Sequence, residues 1–487
     1  MKDLIHKILN LAQIAGAEYA DVRIIEKKNE VITVKNEIPE IIEINENRGF
    51  GVRVLYRGAW GFAASCFLVS ELENKKNLEK TIKKAISIAK ASASLKKKRI
   101  KLTSAKPIID QYQTKIEKDP FEISLNQKLN LLIAASKEMR KNKKIKTASS
   151  FFEAREENKT FANTEGSFIK QKIVTCGGGI EALAVDENEI QVRSYPNSFR
   201  GQFGTAGYEL IESLKLKENA PRIAEEAVAL LSAPQCPAKE TSLILDSTQL
   251  SLQIHESCGH PIELDRVLGM EASFAGTSFL TLEKLGKFKY GSDIVNITAD
   301  ATIAGALGTF GYDDEGIPAQ RFPIVKNGIF VNYLTSRETA EVLGSLSNGT
   351  MRATSWSDIP LIRMTNINLE PGNLELEDLI TDTKEGIFMS TNKAWSIDDK
   401  RLNFQFGCEI GWEIKNGKIK RMVKNPTYTG ITPQFWRSCD AICNKKYWQI
   451  WGTPNCGKGE PHQTIGVGHG ASPSRFRKVK IGVWQKQ

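Results

Sequence analysis

Apolar residues recur along the first half of the chain with two alternating periods. Residues 2 to 17 carry Leu4, Ile5, Ile8, Leu9, Leu11 and Ala12 at helical spacing, which predicts an amphipathic helix laid on a sheet. Tyr19 to Glu26, Val31 to Ile44 and Gly49 to Tyr56 alternate apolar and polar positions as half-buried strands do, with Pro39 marking a bulge or an edge and Asn45 to Gly49 supplying a turn. A helix is expected from about Glu71 to Ser94 and a second from Ser124 to Lys141, each with an apolar stripe. Strand alternation returns from Ile145 to Val192, broken at Asn163 and Gly166 and again at Gly177-Gly178-Gly179, where a bulge or bend is expected. Residues 218 to 233 form another helix, which ends before two prolines, Pro234 and Pro237.

Beyond that point the pattern changes. Thr241 to Leu245 reads as a strand and Ser247 to Gly259 as a helix, and most later signals are strands with hairpin turns at Asn327-Gly328 and Asn416-Gly417. The expected fold class is therefore α+β. An N-terminal domain of helices and antiparallel sheet (residues 1–235) precedes a mainly β C-terminal domain (236–487). A chain of 487 residues is long for one core, which supports the division.

The chemistry concentrates at His255-Glu256-Ser257-Cys258-Gly259-His260, which holds two of the chain's five histidines around a carboxylate. Histidines four apart share one face of a helix and can hold one zinc ion. Here they are five apart, which on an ideal helix leaves the rings about 140° apart. The turn must distort to bring them together, either because Gly259 takes up unusual backbone angles ahead of Pro261 or because a π-bulge forms. Either route makes His255 and His260 metal ligands and leaves Glu256 as the general base for hydrolysis. A catalytic zinc site needs a third protein ligand, and spacing does not choose among Cys258, Cys408, Cys439, Cys443, Cys456, His462 and His469.

Several motifs in the right order are far more specific than any one of them. The His255 to His260 motif is followed by Tyr312-Asp313-Asp314-Glu315-Gly316-Ile317-Pro318-Ala319-Gln320, Thr335-Ser336-Arg337-Glu338-Thr339-Ala340, Arg363-Met364-Thr365-Asn366 and Cys456-Gly457-Lys458-Gly459. In these the chain resembles the TldD/PmbA family of metallopeptidases, and specifically its TldD-like catalytic branch. The resemblance implies one zinc ion per catalytic subunit held by His255, His260 and Cys456, with Glu256 as the catalytic base. It also implies an enclosed site that takes small or unfolded peptides, and a homodimer or a heterodimer with a family paralogue. Edge strands beside such a site would bind an extended peptide through its main chain.

Composition adds limits. Eight scattered cysteines without an export signal are expected to be reduced thiols in a cytoplasmic protein, and no apolar run is long enough to span a bilayer. The net charge of +10 lies largely in lysine runs such as Lys75-Lys76 and Lys96 to Arg99, which read as solvated faces rather than a nucleic-acid surface. A non-catalytic protein that binds nucleic acid or a DNA-associated enzyme is the alternative, and a hydrolase of other amides a third reading. Asp313-Asp314-Glu315 is expected to be a strand-capping turn in preference to a second metal site. Arg363 and Asn366 are candidates for a substrate groove or a plain strand surface. Trp395, Trp412 and Trp436 are expected to be core or interface aromatics.

Overall fold

The structure, a computed structural model, describes residues 2–66, 75–95 and 99–482. The start of the helix expected from Glu71 and the lysines at 96–98 lie outside them.

The first half is built on an eight-stranded sheet whose members run between Tyr19 and Gly204. Tyr19–Lys35 and Ile38–Tyr56 form one long hairpin, and Ile145–Asn163 and Phe168–Val185 form a second beside it. Lys2–Ile14 and Lys75–Leu95 cover one region of the sheet with Ile5, Ile8, Leu78, Ile82 and Ala89. Leu125–Arg140 and Leu216–Ser232 cover another with Leu132, Ala135, Met139, Ile223 and Ala227.

Two expectations fail here for physical reasons. Asn45 to Gly49 is not a turn but the middle of the second strand, paired with residues 25–29. The reversal is at Asn36-Glu37, both with positive φ (50° and 70°), a two-residue loop whose twist matches the strands but which lacks the usual glycine. Residues 38–47 stay strand while exposed, so polarity there signals solvent and not a loop. The glycine triplet is likewise neither bulge nor bend, for it runs in register inside Phe168–Val185. Its glycines admit close neighbours: a Cβ on Gly178 would sit 2.2 Å from the Phe151 carbonyl oxygen and one on Gly179 2.5 Å from that of Tyr195. The bulge expected of Pro39 is present, as a register shift opposite Thr33 and Val34.

In the second half, Lys239–Leu245, Glu385–Ile397, Asn403–Lys415, Thr427–Ile431 and Ser474–Ile481 pair in a closed ring, a five-stranded barrel. Both Asn-Gly turns form as expected, each with positive φ at its two central residues. The strand expected over Leu361 to Leu369 is two short ones, Leu361–Ile362 and Ile367–Leu369. The chain's end contributes a separate hairpin, Gln449–Lys458 with Gln463–Ala471. The helix Ser247–Ile254 packs between barrel strands and this hairpin, and every one of its residues is buried. Among the described residues no helix is long and apolar enough to cross a membrane.

Candidate metal centre

Asp246 caps the buried helix by accepting from the Thr248 N–H at 2.9 Å. At His255 the helix widens into one π turn, His255–Gly259, and the His260 N–H donates to the carbonyl of His255 five residues back. A short 3-10 turn, His260–Ile262, follows with Pro261 in it. Of the two distortions the sequence allows, the structure has the π-bulge. Gly259 keeps ordinary helical angles (φ −57°), so its freedom is not what opens the turn. Its role is proximity, since a Cβ there would lie 2.1 Å from the Met364 sulfur. The widened turn is pinned through Ser257. Its hydroxyl donates to the Gln253 carbonyl and accepts from Trp436 Nε1 at 2.9 Å, while its carbonyl accepts from Tyr290 Oη at 2.9 Å.

The widening turns the two imidazoles toward each other, with ring centroids 4.9 Å apart and planes at 90°. Cys456 arrives from the late hairpin, at a bulge between Thr453 and Cys456. It is a buried residue of the strand Gln449–Lys458. One ligand atom from each of His255, His260 and Cys456 lies within 4.8 Å of the others. The Cys456 Sγ to His260 Nε2 distance is 3.9 Å. A tetrahedral zinc with ordinary bonds to nitrogen and sulfur holds such a pair roughly 3.5 Å apart, so two imidazoles and a thiol at this spacing fit that ion with little movement.

Burial pushes the Cys456 thiol up, but His255, His260 and Arg363 outweigh it and hold the group well below an ordinary thiol, as a thiolate. Arg363, itself fully buried, also donates to the Cys456 carbonyl and so fixes the strand that carries the ligand. Burial holds His260 well below its ordinary value, neutral as a ligand must be. At His255 burial acts in the same direction, but the Cys456 thiolate overrides it and raises the group.

Each histidine also has a partner behind it. His260 Nδ1 meets Glu263 Oε2 at 3.0 Å, and Glu263 is held in turn by Lys458 at 3.4 Å and Arg266 at 3.6 Å, all three fully buried. His255 Nδ1 meets His469 Nε2 at 2.8 Å. Glu256, next to His255 in the chain and acting on it electrostatically, pairs through Oε2 with Arg401 Nη1 at 2.5 Å. Arg401 and Glu263 escape sequence reasoning. Glu263 carries a readable signal, three residues after a ligand histidine. Arg401 carries none, being 145 residues from its partner in a hairpin turn where its own φ is +62°.

Comparison with known proteins decides the family. Residues 238–482 match the PmbA/TldA metallopeptidase C-terminal domain, 20–89 its domain 1 and 118–233 its central domain. The chain belongs to the PmbA/TldA metallopeptidase family. A metalloprotease of Methanocaldococcus jannaschii is 33% identical over 470 residues, 96% of this chain and 97% of that one. A zinc metalloprotease TldD homolog of Saccharolobus solfataricus is 24% identical over 98% of this chain and 99% of its own. A crystal structure from Thermotoga maritima superposes with a TM-score of 0.76 at 18% identity, over 99% of this chain and 100% of that one, and so shares the fold. As a member of this family the chain is a metalloprotease.

The other candidates for the third ligand lie elsewhere. Cys258 points into the hydrophobic core, where burial pushes its thiol up to about 12. Cys408 and Cys439 are core residues on strands, and Cys443, just past the strand that carries Cys439, packs in a smaller cluster. His462 is exposed against Phe274. Neither Arg363 nor Asn366 lines a groove; both are fully buried, and Asn366 bonds the Gly308 N–H and the Asp300 carbonyl. Trp436 is buried as expected, while Trp395 is nearly half exposed.

The acidic triplet is a buried junction between the two halves of the chain. Asp313 accepts backbone N–H groups of Glu315, Ile317 and Met351. Asp314 pairs with Lys159 at 2.8 Å and Arg23 at 3.8 Å, and Glu315 with Arg53 at 3.3 Å. Every carboxylate has its partners within the chain, which leaves nothing for a cation to do there.

Proposed function

We propose that the chain hydrolyses peptide bonds in small or unfolded peptides, with one zinc ion held by His255, His260 and Cys456 and with Glu256 as the general base. The observation that carries this reading is the convergence of three ligand-type side chains from segments almost two hundred residues apart, with the Glu256 carboxylate near enough to act electrostatically on His255. Zinc, when bound, supplies the Lewis acidity that polarises a carbonyl and acidifies water.

The chain's own groups supply the proton handling. Arg401 binds Glu256 through Oε2, which fixes the carboxylate and leaves Oε1 to take a proton from the attacking water. The C–O bond forms as that proton moves to Glu256, and the C–N bond breaks as Glu256 returns it to the leaving amine. Enclosure sets the substrate class. Glu256, His255, His260 and Cys456 are each at most 5% exposed, so an extended chain can reach them where the surface of a folded domain cannot.

The test pairs metal analysis with cleavage. Purified wild type is expected to hold one zinc per chain and to cleave unstructured peptides. Cys456→Ala is expected to lose the metal, and Glu256→Gln to keep it while losing turnover. Wild type that refuses added zinc, or a Glu256→Gln variant that still turns over normally, contradicts the reading.

A further inference from the structure

His469 touches the centre without belonging to it, and its hydrogen bonds have a direction that can be read. Its Nδ1 faces the Ile367 carbonyl at 3.3 Å. A carbonyl only accepts, so the proton of this ring sits on Nδ1, and Nε2 is a bare acceptor. That acceptor lies 2.8 Å from His255 Nδ1, which must therefore be the donor. With Nδ1 committed to His469, the nitrogen His255 has left to offer a metal ion is Nε2, on the opposite side of the ring. The chain of donors, from His255 to His469 to Ile367, is complete and wholly buried.

From this geometry we infer that His469 is a positioning residue, whose Nε2 locks His255 in the one tautomer and ring orientation able to donate Nε2 to a metal ion. It is not a ligand, because the nitrogen it could offer is already spent on His255 Nδ1. The Gln463–Ala471 strand holds it in place, pairing His469 with Trp451, and Ile367 sits on the short strand next to that hairpin. The two ligand histidines are thereby backed differently. His260 leans on a carboxylate, Glu263, and His255 on a neutral imidazole. Partners of this kind raise the basicity of a ligand and fix its orientation, and their loss costs roughly 10–100-fold in metal affinity.

The inference rests on the proposed zinc site, and the experiment separates the two. Zinc affinity of the full chain is measured by competition with a chromophoric chelator for wild type, His469→Gln, His469→Phe and His469→Leu, with thermal melting of each metal-free protein as the check on folding. The Gln amide oxygen can accept where Nε2 did, while Phe and Leu offer no acceptor. The expected result is Gln within about threefold of wild type and Phe or Leu weaker by roughly 10–100-fold. Equal affinities throughout overturn the proposal. So does a Gln variant weakened as much as Phe, which points to direct ligation or to ring packing. Should Phe and Leu both fail to fold, the Gln comparison alone decides: retained affinity supports an acceptor role, and a 10–100-fold loss overturns it. A wild type that binds no zinc at all sinks the zinc site together with this inference.

Discussion

Among the buried clusters of titratable groups in the described residues, two have opposite character. Asp313, Asp314 and Glu315 crowd three carboxylates into consecutive positions, yet each is met by backbone N–H groups or by Arg23, Arg53 and Lys159 from the first-half sheet. His255, His260 and Cys456 come from two distant segments and turn their donor atoms on one another. The first cluster is satisfied and acts as a fastening; the second gathers ligand-type atoms that could hold a metal ion. A run of ligand-type residues in sequence is therefore a poorer guide to a metal than ligand atoms brought together from distant segments.

The largest expected break in this comparison is at Glu256. Glu256→Gln should lower kcat by about 10²–10⁴-fold with zinc content unchanged, measured by peptide cleavage beside elemental analysis. At the other cluster the signs reverse. Asp314→Ala strands Lys159 and Arg23 without their carboxylate and should cost about 3–5 kcal/mol in denaturant unfolding, while chelator competition finds zinc affinity intact.

Next comes an acid limb. Burial pushes the Glu157 carboxyl up, but Lys27 and Lys159 outweigh it and bring it down to about 2. A carboxylate held below its ordinary value stabilises the fold above that ordinary value and loses the contribution as pH falls toward 2. Glu157→Gln should therefore flatten the loss of unfolding free energy between about pH 4.5 and pH 2, by at most about 3 kcal/mol. An acid limb identical to that of wild type counts against the pairing. The smallest effect is at Gly259, where an added methyl meets the Met364 sulfur. Gly259→Ala should cost about 1–3 kcal/mol in unfolding free energy, and Met364→Ala in the same chain should recover part of it.

Period and turn chemistry made much of this fold legible. The two Asn-Gly hairpins, the first helix and the break at Asn163 to Gly166 stand where local residues dictate. Asn36-Glu37 was hidden because the same turn was made without glycine, and the triplet Gly177 to Gly179 misled because its glycines answer to neighbouring strands, not to a bend. At the centre, a five-residue spacing demanded a distorted turn, and the π-bulge supplied it. Spacing could not show that Cys456 and not Cys258 faces the histidines. That depends on a hairpin docking across the helix, a contact that no local pattern encodes. Arg401 was invisible for the same reason.

The most direct test of the centre is zinc-edge X-ray absorption on the purified full chain and its Cys456→Ser variant. The account predicts two nitrogen neighbours at about 2.0–2.1 Å and a single sulfur at about 2.3 Å, with the sulfur shell lost in the variant. A wild-type spectrum with no sulfur, or with a sulfur that survives the substitution, would contradict it.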